Sequence, residues 1–72
     1  MDELKERVTA KVQSGELAFK GARKRHNLAP GAYGILAMTA LEWAKENAKP
    51  RAAAITKACA AYWELYEERK GK

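Results

Sequence analysis

The sequence has one cysteine, one histidine and two prolines, and it has no uncharged run long enough to cross a bilayer. Each shortage excludes something. A lone Cys59 forms no internal disulfide, so packing must hold the chain together, as in a reducing compartment, and the expected location is the cytoplasm. With His26 as the only histidine there is no pair of imidazoles for a metal site, and a nucleophile–histidine–acid relay has almost no raw material. The expectation is therefore a protein that is not an enzyme and carries no metal or cofactor. The longest uncharged run, Leu28 to Leu41, is too short and too rich in small residues to span a membrane. No basic stretch followed by an apolar run and a small-residue cleavage site opens the sequence, so no signal peptide is expected.

Strand signals are also scarce. β-Branched residues are few and nothing alternates with period two, whereas fifteen alanines favour helix and let helices approach closely. Leu4, Val8, Val12, Gly15, Phe19, Ala22 and His26 follow one another at spacings of three or four, the mark of one apolar stripe on one long first helix. Gly15, Gly21 and Ser14 support a competing reading, a break at Gln13-Ser14-Gly15 that would give Leu17 a reason to turn inward. The continuous helix is the expectation carried forward. Pro30 disfavours helix at Ala29 and suits the first turn of a second helix, and Pro50 repeats the device before a third. On the second helix Tyr33, Leu36, Ala37, Ala40, Leu41, Trp43, Ala44 and Ala48 form the expected inner face. On the third it is Ala52, Ile55, Cys59, Tyr62 and Tyr66, flanked by Ala58 and Leu65, with Trp63 to one side.

At 72 residues the chain is expected to form a single helical domain, residues 1–72. The fold class is all-α, a small three-helix bundle, or four helices if the first breaks at Gly15. So small a core leaves apolar surface over, and a homodimer is expected.

The net charge of +5 is concentrated. Residues 19–27 hold Lys20, Arg23, Lys24 and Arg25 with no acid among them, and a concentrated field attracts polyanions better than a diffuse one. Read as helix, Lys20, Arg23, Lys24 and Asn27 share one flank, a usable phosphate-binding edge; Arg25 points elsewhere, and Arg51 is a further contact. A basic helix end that only complements its own dipole competes with this reading, but four bases exceed what capping needs. His26, at the end of that run, reads as a helix cap. Cys59, on the inward stripe, reads as packing. The carboxylates Glu42 with Glu46, and Glu64 with Glu67 and Glu68, read as solvated faces, because nothing in the pattern sets their pKa values apart. The two glycines of "PGAYG" lack the lysine and strand of a phosphate loop and read as a turn.

The leading functional expectation is a small basic regulatory protein that binds DNA or RNA through Lys20, Arg23, Lys24, Arg25, Asn27 and Arg51. A helix-turn-helix from the second and third helices would be one form of it, weakened because "RAAAITKA" offers few side chains for reading bases. The alternative is a protein-interaction module, an inhibitor or adaptor that docks on a larger, acidic partner through Ile35, Met38 and Trp63 while the basic segment steers the encounter.

Overall fold

A computed structural model describes residues 3–22 and 31–70. They form α1 (Glu3–Gln13), α2 (Ala32–Asn47) and α3 (Arg51–Lys70), with no strand among the described residues. The all-helical expectation holds, and the three helices are those of a three-helix bundle.

Contacts between side chains fix how the helices run. Arg7 of α1 meets Glu46 near the end of α2, while Ala10 and Lys11 share a cleft with Ile35, Met38 and Thr39 near its start, so α1 and α2 are antiparallel. Lys5 pairs with Glu64 at 3.0 Å, and Thr9, Val12 and Gln13 lie beside Leu65, Glu68 and Arg69, so α1 and α3 are parallel. It follows that α2 and α3 form an antiparallel hairpin. The Lys57 ammonium accordingly sits 5.4 Å from the centre of the Trp43 ring, each residue two turns from Pro50.

The first helix is not continuous, which corrects the expectation of one long helix reaching His26. It ends at Gln13, and Gly15 takes φ +87°, a left-handed conformation that costs glycine nothing. The Ser14 hydroxyl lies 2.9 Å from the Lys11 carbonyl, and the Leu17 amide donates to that same carbonyl at 3.0 Å. A free helix end thus finds partners within its own turn. Leu17 then swings into the core, 2% exposed, and Phe19 packs on its edge. One bond fixes this connection to α3: the Tyr62 hydroxyl donates to the Ala18 carbonyl at 2.6 Å.

The core combines Leu4 and Val8 of α1, Leu17, Leu36, Ala40 and Trp43 of α2, and Ala54, Ala58, Ala61, Tyr62 and Trp63 of α3. Three expectations fail here. Trp63, placed to one side of its stripe, is 5% exposed and stacks edge-on against Tyr62 and Tyr66. Tyr33 and Leu41, placed inward, face out, and the inner face of α2 is instead Ala32, Leu36, Thr39, Ala40, Trp43 and Ala44. Cys59 and Ile55 are half-buried at the core's edge, and Ala52 is exposed. Both helices have turned about their axes towards the face with the bulkier ring, because burying an indole removes more apolar area from water than burying a thiol.

Pro50 acts as expected at the hairpin bend: its carbonyl accepts the Ala54 amide, the first bond of α3. Just before it, α2 closes through Ala48 in the left-handed region at φ 51°, with the Lys49 amide donating to the Ala44 carbonyl at 2.9 Å. That is the six-residue closure in which glycine is usual.

Ala48→Gly should therefore raise unfolding free energy by about 0.5–1 kcal/mol, since relief of the left-handed alanine outweighs the freedom gained by the unfolded chain. Urea denaturation checks the sign, and a loss of stability would show that the αL geometry is wrong. Tyr62→Phe should cost about 1 kcal/mol. It should also speed amide exchange at Leu17, the residue before the released carbonyl, while protection in the middle of α2 falls only by the global loss.

Candidate functional site

Of the residues expected to bind nucleic acid, Lys20 and Arg51 fall among the described residues, on different parts of the chain. Lys20 is exposed in the turn after Phe19 rather than on a helix, and Gly21 beside it has φ +92°. The helical flank that was to align Lys20 with Arg23, Lys24 and Asn27 therefore does not begin as a helix. Arg23, Lys24, Arg25, His26 and Asn27 lie outside the described residues. Arg51 opens α3 and is exposed. Of the expected interface, Met38 is 71% exposed, Ile35 is half-buried against the core, and Trp63 is withdrawn into it.

A different surface emerges on α2. Among the described residues the exposed large hydrophobic side chains are Tyr33, Met38 and Leu41, at 57%, 71% and 38%, and all three belong to this helix. Tyr33, Ala37 and Leu41 stand at intervals of four, so they form one row along the helix, with Met38 beside it. The sequence held the signal: α2 has apolar residues around most of its circumference, and a helix of that kind has more apolar surface than one core contact can cover. The row was misread because its members were assigned to the inner face.

The same row runs into a cluster of bases. Lys45 continues it one turn beyond Leu41, and Lys45, Lys49 and Arg51 line a groove with Leu41 and Ala44 at the α2–α3 bend. None of these three cations forms an ion pair among the described residues. Glu46 is the nearest acid in sequence to Lys45, and Arg7 has taken it. The guanidinium donates to both Glu46 oxygens, at 3.1 and 2.6 Å, and to Glu3 at 3.0 Å. These bonds hold the Glu46 carboxyl below its usual value and push the Arg7 pKa up, mainly through Glu46. At the end of α1, the Ser14 hydroxyl and then the Lys11 ammonium hold Glu16 low in the same way.

A second cleft lies between α1 and α2, lined by Arg7, Lys11, Glu16, Ile35, Met38 and Glu42. At about 340 Å³ for this cleft and 280 Å³ for the groove, both are open surface features at the foot of the range for small-molecule pockets. Cys59 has its thiol pKa raised by burial, away from the reactive thiolate. Among the described residues no group of three or more His, Cys, Asp or Glu side chains could hold a metal ion, and no helix is long and apolar enough to cross a membrane. No family model, curated protein or solved structure matches the chain.

The Arg7–Glu46 pair predicts an acid dependence. Glu46 titrates lower in the folded chain than unfolded, so its contribution is full above the ordinary carboxylate value of 4.5 and is lost as pH falls through the folded value. Thermal melts from pH about 6 down to about 2 should show a steeper loss of Tm for the wild type than for Glu46→Gln, which lacks this titration. Parallel curves would show that the pair does not couple to folding.

Proposed function

We infer that the chain is a protein-interaction module that docks through the outer face of α2. The observation that supports this reading is that, among the described residues, the exposed large hydrophobics, Tyr33, Met38 and Leu41, lie on one face of one helix. Single exposed apolar residues are ordinary on a protein surface, whereas a contiguous group of them is the usual signature of a contact with another chain. Ile35, at the border of the same face, completes the floor. Trp63 leaves the set, since a residue 5% exposed cannot meet a partner without unfolding its own core.

A placed photo-cross-linker tests the reading. Carried at position 38, it should join the chain to another polypeptide, saturably, and Leu41→Ser should abolish the product. Carried at the exposed position 67 on α3, it should give none. A product twice the mass of the chain would identify the occupant as a second copy, the homodimer expected from the small core. Equal yields from positions 38 and 67 would overturn the reading. Leu41→Ser should lower stability by about 1 kcal/mol, since Leu41 is 38% exposed and serine is the poorer helix former, and the chain should stay folded.

A second reading, binding of DNA or RNA through phosphates, is favoured by Lys45, Lys49 and Arg51 lining one groove without ion-pair partners among the described residues. Lys20 and the bases of residues 23–25 would add to it. The antiparallel course of α2 and α3 does not favour the helix-turn-helix form, whose two helices cross nearer a right angle. Duplex DNA bound this way should lose affinity with salt at a log–log slope of about −0.9 per phosphate neutralised, and Lys45→Glu with Lys49→Glu should flatten that slope. No binding in low salt would remove this reading.

A further inference from the structure

The apolar row and the basic groove are continuous, because Leu41 belongs to both. From Tyr33 to Leu41 the row covers eight residues, about 12 Å of helix. Beyond it, Lys45, Lys49 and Arg51 follow on the same side, and among the described residues these cations form no ion pair. Arg7 of α1 keeps Glu46, the acid beside Lys45, occupied through two hydrogen bonds, while Glu42 lies with Met38 in the α1–α2 cleft rather than in the basic groove. The surface is therefore divided along its length, apolar at the start of α2 and cationic at the α2–α3 bend.

We propose that this divided surface receives an acidic, amphipathic segment of another protein, with apolar side chains seated on Tyr33, Met38 and Leu41 and a cluster of carboxylates on Lys45, Lys49 and Arg51. This rests on the docking role of α2 argued above and adds the chemistry of the partner. The lengthwise division decides among polyanions. A nucleic acid brings phosphates at every step and no aliphatic side chains for the first half of the surface. An anionic membrane brings headgroup charge evenly, where this face has charge only at one end. A polypeptide is the polyanion that can place an apolar cluster and an acidic cluster one after the other. Its carboxylates would accept charge-assisted hydrogen bonds from the three bases, which supply specificity and a fast encounter, while the apolar half supplies buried area.

The test is a display library of short random peptides selected against the wild-type chain. Each enriched peptide is then titrated against wild type, Lys45→Glu with Lys49→Glu, and Met38→Ser with Leu41→Ser. None of these four residues is buried in the core, so the variants should keep the wild-type far-UV spectrum, and titrations are run well below the Tm of each variant, which the two serines lower somewhat. Enriched peptides should carry apolar residues and a run of Asp or Glu in succession, bind more weakly as salt rises, and lose about tenfold or more in affinity to each double variant. Enrichment of neutral or basic apolar peptides that ignore Lys45→Glu with Lys49→Glu would overturn the acidic partner and leave the docking face standing. If no peptide prefers the wild type to Met38→Ser with Leu41→Ser, both readings fall. Displacement of the peptide by lower concentrations of duplex DNA or of phosphatidylserine vesicles would overturn the proposal in favour of a phosphate ligand. A wild-type dimer in sedimentation that Met38→Ser with Leu41→Ser dissociates would assign the face to a second copy of the chain, and would overturn it too.

Discussion

The hydrogen bond from Tyr62 to the Ala18 carbonyl is the constraint on which the remaining packing depends. A tyrosine with no exposed surface must find an acceptor for its hydroxyl, and a carbonyl beyond the end of a helix must find a donor. One contact satisfies both. It brings residues 17–19 against α3, so Leu17 fills the space that a continued α1 would have left open, and Phe19 lies 4.9 Å from the Tyr62 ring and 5.8 Å from Tyr66. Arg69 then covers the outer side of Phe19 at 5.2 Å. The aromatic cluster at this end of the bundle makes a firm seat for α3 in a chain whose other interhelical contacts are largely alanine.

That alanine content explains which parts of the fold were legible in the sequence. Helix identity was, because alanine-rich segments delimited by Pro30 and Pro50 and without period-two alternation have no other regular structure open to them. The inner face of α1 was as well, since Leu4, Val8 and Val12 have only charged and polar neighbours. The faces of α2 and α3 were not. When alanine occurs on every side of a helix, periodicity selects no unique stripe, and the rotation is set by where the few large rings fit. Burial of Trp43 and Trp63 settled it, and carried Tyr33 and Leu41 to the outside. The exposed apolar face of α2 was half legible for the same reason: periodicity puts Ile35 and Met38 outside the inner stripe, but puts Tyr33 and Leu41 on it.

The break at Gly15 was visible as an alternative but could not be chosen from the sequence. Spacings of three and four continue through Phe19, Ala22 and His26, so the stripe outlasts the helix. What ends the helix is local: Gly15 enters the left-handed region and Ser14 with Leu17 reclaims the Lys11 carbonyl, while Tyr62, distant in sequence, rewards the new path. A buried aromatic on α3 thus decides whether α1 continues, and no window on the first third of the chain contains that information.

Charge shows the same dependence on distant partners. By sequence, the second helix and its bend carry as many acids as bases and look neutral. In the folded chain Glu46 belongs to Arg7, and Glu64 on α3 belongs to Lys5, so α1 spends its cations on acids that lie elsewhere in the sequence. Lys45 and Lys49, which linear counting sets against Glu42 and Glu46, are left beside Arg51 with no ion pair among the described residues. The strength of their field depends on a side chain that does not line the groove: removing the Arg7 guanidinium would release Glu46, three residues before Lys49 and so within reach of it along the helix end. The ion pair that ties α1 to α2 is for that reason also the one that occupies the acid beside Lys45.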